Sequence, residues 1–214
     1  RQAAALGDGQ ILGGHFRGQL NHIDTLSWVV LGTADGRGWM LLRRADGSWK
    51  SRLTDPMRWG DHHRVVEQAA DGRREERLAQ LRYDPRQRPW YQGAITAPAG
   101  AAHWTSPYTF FTTGDPGVTV SQRFQLADGT TAVLGLDIML RDLSATTQAA
   151  RVGRDGVALI LTDDERILAL PRRPTSITAA EWLGSLLLPA NSLGLDNVNA
   201  TLSAWRQNGR KGFP

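Results

Sequence analysis

The chain has 214 residues, of which 41% are hydrophobic and 21% charged, which places it among ordinary globular proteins and excludes a disordered chain. It contains no cysteine, so disulfides, thiolate nucleophiles and Cys-type zinc sites are excluded together. The net charge of +4 rests on 25 basic residues, only two of them lysine (Lys50 and Lys211); Arg73-Arg74 run directly into Glu75-Glu76. With no helix-turn-helix or RNP-like pattern beside that charge, nucleic acid is not an expected partner.

The chain opens on Arg1 with neither Met nor a signal-peptide pattern, which reads as a fragment or a processed product. No apolar run approaches the roughly 20 residues that span a bilayer. Leu6 to His22 carries several glycines and leads into an apolar stretch, readable as the end of an N-terminal helix. Leu26 to Leu31 reads as a strand, Asp35-Gly36 as a turn, Gly38 to Leu42 as the returning strand and Asp46-Gly47 as another turn. Asp61 to Arg82 reads as helical or partly so, interrupted at Gly72.

Val118 to Leu126 alternates, with Val118, Val120, Phe124 and Leu126 on one face and Thr119, Ser121, Arg123 and Gln125 on the other. Asp128-Gly129 turns the chain into a more buried strand, Thr131 to Leu140, and Arg141 to Arg151 follows as a connecting helix. Val157 to Leu161 and Arg166 to Leu170 form a further hairpin around Asp163-Asp164. Thr178 to Leu188 and Asn197 to Gln207 are helix-like, broken at Pro189 and Gly194.

Val29 to Arg44 aligns without a gap on Ala158 to Arg173, pairing Thr33 with Thr162, Asp35 with Asp164, Arg37 with Arg166 and Leu41 with Leu170. Two copies of one supersecondary unit are expected. The fold class is then α+β, as two stacked modules of antiparallel sheet with flanking helices, the second showing one hairpin and helices before Pro214 and so incomplete.

The run Tyr83-Asp84-Pro85-Arg86-Gln87-Arg88-Pro89-Trp90-Tyr91 carries the sharpest local signal. Asp84 can cap a turn that starts at Pro85, whose φ is fixed and whose missing N–H needs no partner. Pro89 repeats the device and holds Trp90 and Tyr91 in a defined, loop-like frame. Rigid aromatics beside an arginine suit a small polar ligand, because Arg grips a carboxylate bidentately while rings cover the apolar parts.

This run resembles the signature of double-Cache sensor domains of bacterial histidine kinases, chemoreceptors and nucleotide cyclases. Trp104 to Tyr108, Phe110 to Gly114, the Asp128-Gly129 hairpin and Leu134 to Ile138 follow in the expected order, so the resemblance spans residues 25 to 171. It implies an extracytoplasmic sensor of an inner-membrane protein, with two PAS-like modules and the ligand in the membrane-distal one. Residues 1–141 would be that distal module, and 142–214 the linking helix and part of the proximal module. In the amino-acid-binding branch, the resemblance carries ligand roles onto Tyr83, Arg88, Trp90, Tyr91 and Asp137. The arginine and aromatics would meet the carboxylate and Asp137 the ammonium; Tyr108 is added as a pocket residue. Tyr108 is followed by Thr109-Phe110, where that branch carries an Asp two positions on.

Asp137 also stands out by pattern alone. Ala132, Leu134, Leu136, Ile138 and Leu140 share one strand face, and Asp137 lies opposite with Val133, Gly135 and Met139. A carboxylate in such a setting is costly without a cation, which is either a ligand or Arg88 or Arg123. Gly135 is expected to leave room for an approaching group.

Asp61-His62-His63 does not form a metal site, since neighbouring side chains of a strand oppose each other and no partner pair follows at ligand spacing. No nucleophile elbow or phosphate loop is present, and no metal or cofactor is implied. The expected function is small-molecule sensing without catalysis, the output domain lying outside this chain. A homodimer is possible. The competing readings are a structural or dimerising ectodomain that binds no small molecule, and a hydrolase using Asp137 or Asp84.

Overall fold

The computed structural model describes residues 9–23, 25–26, 28–153 and 156–211, with side chains from residue 11 onward. The chain divides into two compact units, Arg1–Met139 and Leu140–Pro214.

The first unit is built on a nine-stranded antiparallel sheet ordered β5-β4-β3-β2-β1-β9-β8-β6, with β7 also pairing with β8. Its strands are β1 (Trp28–Thr33), β2 (Gly38–Arg43), β3 (Trp49–Thr54), β4 (His62–Gln68), β5 (Arg74–Gln80), β6 (His103–Trp104), β7 (Tyr108–Thr109), β8 (Pro116–Gln125) and β9 (Thr131–Met139). Four hairpins turn at Asp-Gly pairs: 35–36, 46–47, 71–72 and 128–129. In each, the Asp Oδ1 accepts the backbone N–H two residues on, at 2.9–3.2 Å.

The stretch 61–82, expected to be helical, is instead the β4–β5 hairpin, with Gly72 at φ 89° in its turn. The alternation is present in β4, where His63 and Val65 are buried, and β-branched Val65-Val66 favour the strand. β5 is an edge strand that is exposed along almost its whole length, so its sequence carries charge in place of a period-two pattern. The basic cluster is neutralised across this hairpin, Glu76 pairing with both Arg64 and Arg74.

Both faces of the central strands β1 and β2 are buried. Helix α1 (Gly9–His22) lies on one face, where Leu20 packs with Val29, Leu31, Trp39, Leu41 and Leu53. The opposite face packs Trp28, Val30, Met40, Leu42, Val133 and Met139 against Trp90, Tyr91, Ala94 and Phe110. Asp137 belongs to this second face. On β9 the apolar face of Leu134, Leu136 and Ile138 is only half-buried, whereas Val133, Gly135, Asp137 and Met139 are all buried. On β8 likewise, polar Thr119 and Ser121 are buried and Phe124 is 41% exposed.

The second unit opens with helix α4 (Leu140–Ala149), following the short α2 (Pro56–Trp59) and α3 (Pro89–Thr96) of the first. Among the described residues its sheet has two strands, β10 (Ile160–Leu161) and β11 (Ile167–Ala169). Helices α5 (Ala179–Leu183) and α6 (Asp196–Gln207) complete a core of Ile167, Leu170, Trp182, Leu193, Val198 and Leu202. A capping box between Thr178 and Glu181 starts α5. Ser144 Oγ accepts the Leu170 N–H at 3.1 Å and Thr147 Oγ1 donates to the Leu170 carbonyl at 2.6 Å, tying α4 to the strand end.

The internal repeat reappears as geometry. Thr33 Oγ1 donates to Asp35, as Thr162 Oγ1 does to Asp164. Arg37 Nε meets Asp35 at 2.8 Å and Arg166 Nε meets Asp164 at 2.9 Å. In both turns the Thr N–H bonds the Arg carbonyl at 2.9 Å. The position after Asp has positive φ in each, Gly36 at 86° and Glu165 at 64°. The non-glycine copy is held in place by Arg206 and Arg210, which both pair with the Glu165 carboxylate.

Candidate functional site

The Tyr83–Tyr91 run folds largely as its capping chemistry requires. Asp84 Oδ1 accepts the Arg86 N–H at 2.9 Å and opens a 3₁₀ turn over Pro85–Gln87, and Pro89 takes the first position of α3. Trp90 and Tyr91 therefore stand in the first helical turn and not in a loop. The proline that stops one turn is preorganised to start the next, and its absent N–H is one a helix start leaves unpaired anyway. Trp90 and Tyr91 are both buried, their rings edge-to-face at 5.8 Å.

Trp90 turns to the sheet face that holds Asp137. Together with Tyr83, Arg88, Tyr108, Phe110, Phe111 and Thr112 it covers a cavity floored by Trp28 and Val30 of β1, Met40 of β2, Arg52 of β3 and Asp137 of β9. Five of the six residues named from sequence thus line one cavity. The sixth, Tyr91, is not in the lining: it leans toward Gly32, and the charges acting on it are those of Arg86, Asp35 and Asp84. The cavity measures about 20 Å³, room for little more than one water. Gly135 does not open space for an incoming group. The place of its Cβ is crowded by Val30 Cγ2 at 2.7 Å, Thr119 Cγ2 at 3.0 Å and the Trp90 ring at 3.5 Å.

Asp137 is 2% exposed. Its Oδ1 accepts from Thr119 Oγ1 at 2.5 Å, and Thr119 in turn lies 2.7 Å from the Tyr108 hydroxyl. No ion pair forms with Arg88 or Arg123. Arg88 donates to the Thr109 carbonyl at 3.2 Å and Arg123 to that of Ile95 at 2.8 Å. Burial pushes the Asp137 carboxyl up to about 8, against smaller opposing effects of the Thr119 hydrogen bond and the Arg88 charge. The Tyr108 phenol is also raised, first by burial and then by Asp137. A neutral or barely ionised carboxyl is thus poised to lose its proton when a cation arrives.

Arg52 is the pocket residue that sequence reasoning missed. It is 5% exposed, with its guanidinium carbon 3.8 Å from the Tyr83 ring centroid and 5.3 Å from that of Phe111. Burial lowers its pKa, with the Tyr83 side chain opposing. The only signal available in sequence was an arginine on the strand Trp49–Thr54, which the sequence reading had not assigned.

Other candidates are accounted for by structure. His62 and His63 take opposite sides of β4, and His63 is buried between Thr54 Oγ1 at 2.8 Å and the Leu81 carbonyl at 3.0 Å. A wider cleft of about 300 Å³ beside them is lined by Asp84 and Arg86, which pair with each other at 2.8 Å. Among the described residues no group of three or more His, Cys, Asp and Glu is placed to hold a metal, and no helix is long and apolar enough to cross a membrane.

Residues 61–145 match the family model described as methyl-accepting chemotaxis protein-like, first PDC sensor domain. The methyl-accepting chemotaxis protein TlpB of Bacillus subtilis (strain 168) is 35% identical over 101 residues, 47% of this chain and 15% of that protein. Adenylate cyclase 1 of Rhizobium meliloti (strain 1021) is 33% identical over 87 residues, 41% of this chain and 12% of that protein. The chain therefore spans only a small part of the length of either. The ligand-binding domain of the Campylobacter jejuni chemoreceptor Tlp3, solved with 4-methylisoleucine, matches with a TM-score of 0.50 and 18% identity. That match covers 84% of this chain and 57% of Tlp3's domain, and the likeness is one of fold. The resemblance read from the Tyr83–Tyr91 run is borne out: the stretch 61–145 carries the PDC sensor pattern, on the antiparallel α+β fold of Cache-type chemoreceptor domains.

Proposed function

We propose that this chain is the extracytoplasmic small-molecule-sensing part of a bacterial transmembrane signalling receptor, and that its first unit binds an amino acid or a similar zwitterion. One observation carries the reading: a fully buried carboxyl, Asp137, shares a cavity with Arg88, Tyr83 and Trp90 of one motif and with Tyr108, yet among the described residues no cation pairs with it. An ammonium against Asp137 and a carboxylate against Arg88 would complete both. Tlp3, a relative in fold, was solved with an amino-acid derivative, which supports the same ligand class. Residues 1–141 act as the membrane-distal binding module, and 142–214 as the linking helix and part of the membrane-proximal one. The chain itself performs no chemistry; its output domain, whether of the chemotaxis or the cyclase type, lies elsewhere in the receptor.

A cavity of about 20 Å³ is smaller than any amino acid, so binding requires the cover over Phe110–Thr112 to move. Ligand then biases the receptor only by its different affinity for the open and closed forms. The same small volume favours a second reading, a structural ectodomain without a ligand. A thermal-shift screen of amino acids, amines, organic acids and nucleobases separates the two. A ligand at a hundred times its Kd stabilises by about 2.7 kcal/mol. A shift abolished by Asp137→Asn and by Arg88→Ala supports the sensor, whereas silence across the whole library favours the structural role.

A further inference from the structure

We propose that Arg52 is a second anion subsite in this pocket and that the ligand is an amino acid whose side chain ends in an anionic group, such as glutamate or aspartate. The inference rests on the reading of the first unit as an amino-acid pocket and names the ligand within that class.

Arg52 is 5% exposed, and among the described residues no carboxylate pairs with its guanidinium. A buried cation is costly unless paired. The two rings beside it offset part of that cost through cation–π attraction. Its hydrogen bond to Thr112 Oγ1 is long at 3.4 Å, and the Tyr83 side chain is its second hydrogen-bond partner. A guanidinium carries five N–H donors in a planar fork, so these two partners leave donors of Arg52 unused in a side chain that lines the cavity. A purely structural role would be served as well by an apolar residue under Tyr83 and Phe111.

The sheet register places Arg52 at the opposite end of the floor from Asp137. Arg52 pairs with Met40, Met40 with Val30 and Val30 with Gly135, two residues along β9 from Asp137. Three strand spacings separate β3 from β9, about 14 Å between backbones, and both side chains line the one cavity. What remains is the length of a short amino-acid side chain lying over Val30 and Met40. Arg88 lines the same cavity, and its charge acts on both Arg52 and Asp137, whereas Arg52 is not among the charges that act on Asp137. The ionised site therefore holds two cations and one anion in the order guanidinium, guanidinium, carboxylate. The complementary ligand carries a distal anion, an α-carboxylate and an ammonium in the same order. A neutral aliphatic amino acid would set an apolar side chain against Arg52 and leave the guanidinium buried without an anion.

Isothermal titration calorimetry on the 214-residue protein tests this with acid–amide pairs of nearly equal shape: glutamate against glutamine, aspartate against asparagine, with leucine added. The wild type is expected to bind an acid about tenfold or more tighter than its amide, the worth of a charge-assisted hydrogen bond. Arg52→Met is expected to erase that preference, and Arg52→Lys to restore part of it. Amide or leucine binding as tight as that of the acids overturns the inference and leaves the amino-acid pocket standing. Binding of no amino acid at all overturns both. Should Arg52→Met fail to fold by circular dichroism, the wild-type acid-to-amide ratio decides alone.

Discussion

Replacing Asp137 by Asn isolates the cost of the buried carboxyl. In the folded protein that group titrates near 8, against 3.8 for the free side chain, a gap worth about 6 kcal/mol in ionisation free energy. Between these two values the folded state keeps a proton that the unfolded state releases. The folded state thus binds more protons, and ligand-free stability falls as pH rises through the window from about 4 to about 8. The amide fills the same space, still accepts from Thr119 and does not titrate. The stability of Asp137→Asn minus that of the wild type should therefore grow by about 4 kcal/mol from pH 5 to pH 8, every other titrating group cancelling in the difference. Urea denaturation of both proteins at one-unit steps across that range measures it. A difference that stays within about 1 kcal/mol would show that Asp137 is ionised and paired in the native state, contrary to its placement.

Three further substitutions test the packing around the site and the second unit. At Gly117 an added Cβ would fall 2.0 Å from the Phe110 ring and 2.7 Å from the Ile138 carbonyl. Gly117→Ala should cost about 1–3 kcal/mol in chemical denaturation and displace Phe110 from the cavity cover. Ser144→Ala leaves the buried Leu170 N–H without an acceptor and should destabilise the protein by about 1–3 kcal/mol; an unchanged denaturation midpoint would refute that role. Asp164→Ala removes an exposed partner of Thr162 and Arg166, so a denaturation midpoint close to that of the wild type is expected by the same assay.

What the sequence disclosed follows from how local each signal is. Asp-Gly turns and proline caps are set by two or three neighbouring residues, so the hairpins at 35–36, 46–47 and 128–129 and the turn at Asp84 were readable directly, whereas the one at 71–72 was not. The repeat was readable because Thr, Asp and Arg at fixed spacing close the same turn twice, through the same two side-chain contacts. The edge strand β5 was misread because an exposed strand has no face to bury, and its charges mimic a solvated helix. Burial of the polar faces of β8 and β9 was hidden for a different reason. Alternation shows which residues share a face but not which face the rest of the chain covers, and here the polar one lies under Trp90 and Phe110. Asp137 stood out as a charge among apolar neighbours on its own strand. Arg52 shares its face only through the cross-strand pairings with Met40 and Val30, and register is a property of the sheet rather than of any single segment.

The most direct test of Asp137 as the ammonium partner is the number of protons released when an amino acid binds. Titration calorimetry at pH 7 in two buffers of different ionisation enthalpy gives that number. With the carboxyl near 8 before binding and ionised afterwards, the wild type should release about 0.9 proton per ligand, and Asp137→Asn should bind far more weakly. Binding without proton release, at an affinity that Asp137→Asn retains, would place the ligand elsewhere and return Asp137 to a structural role.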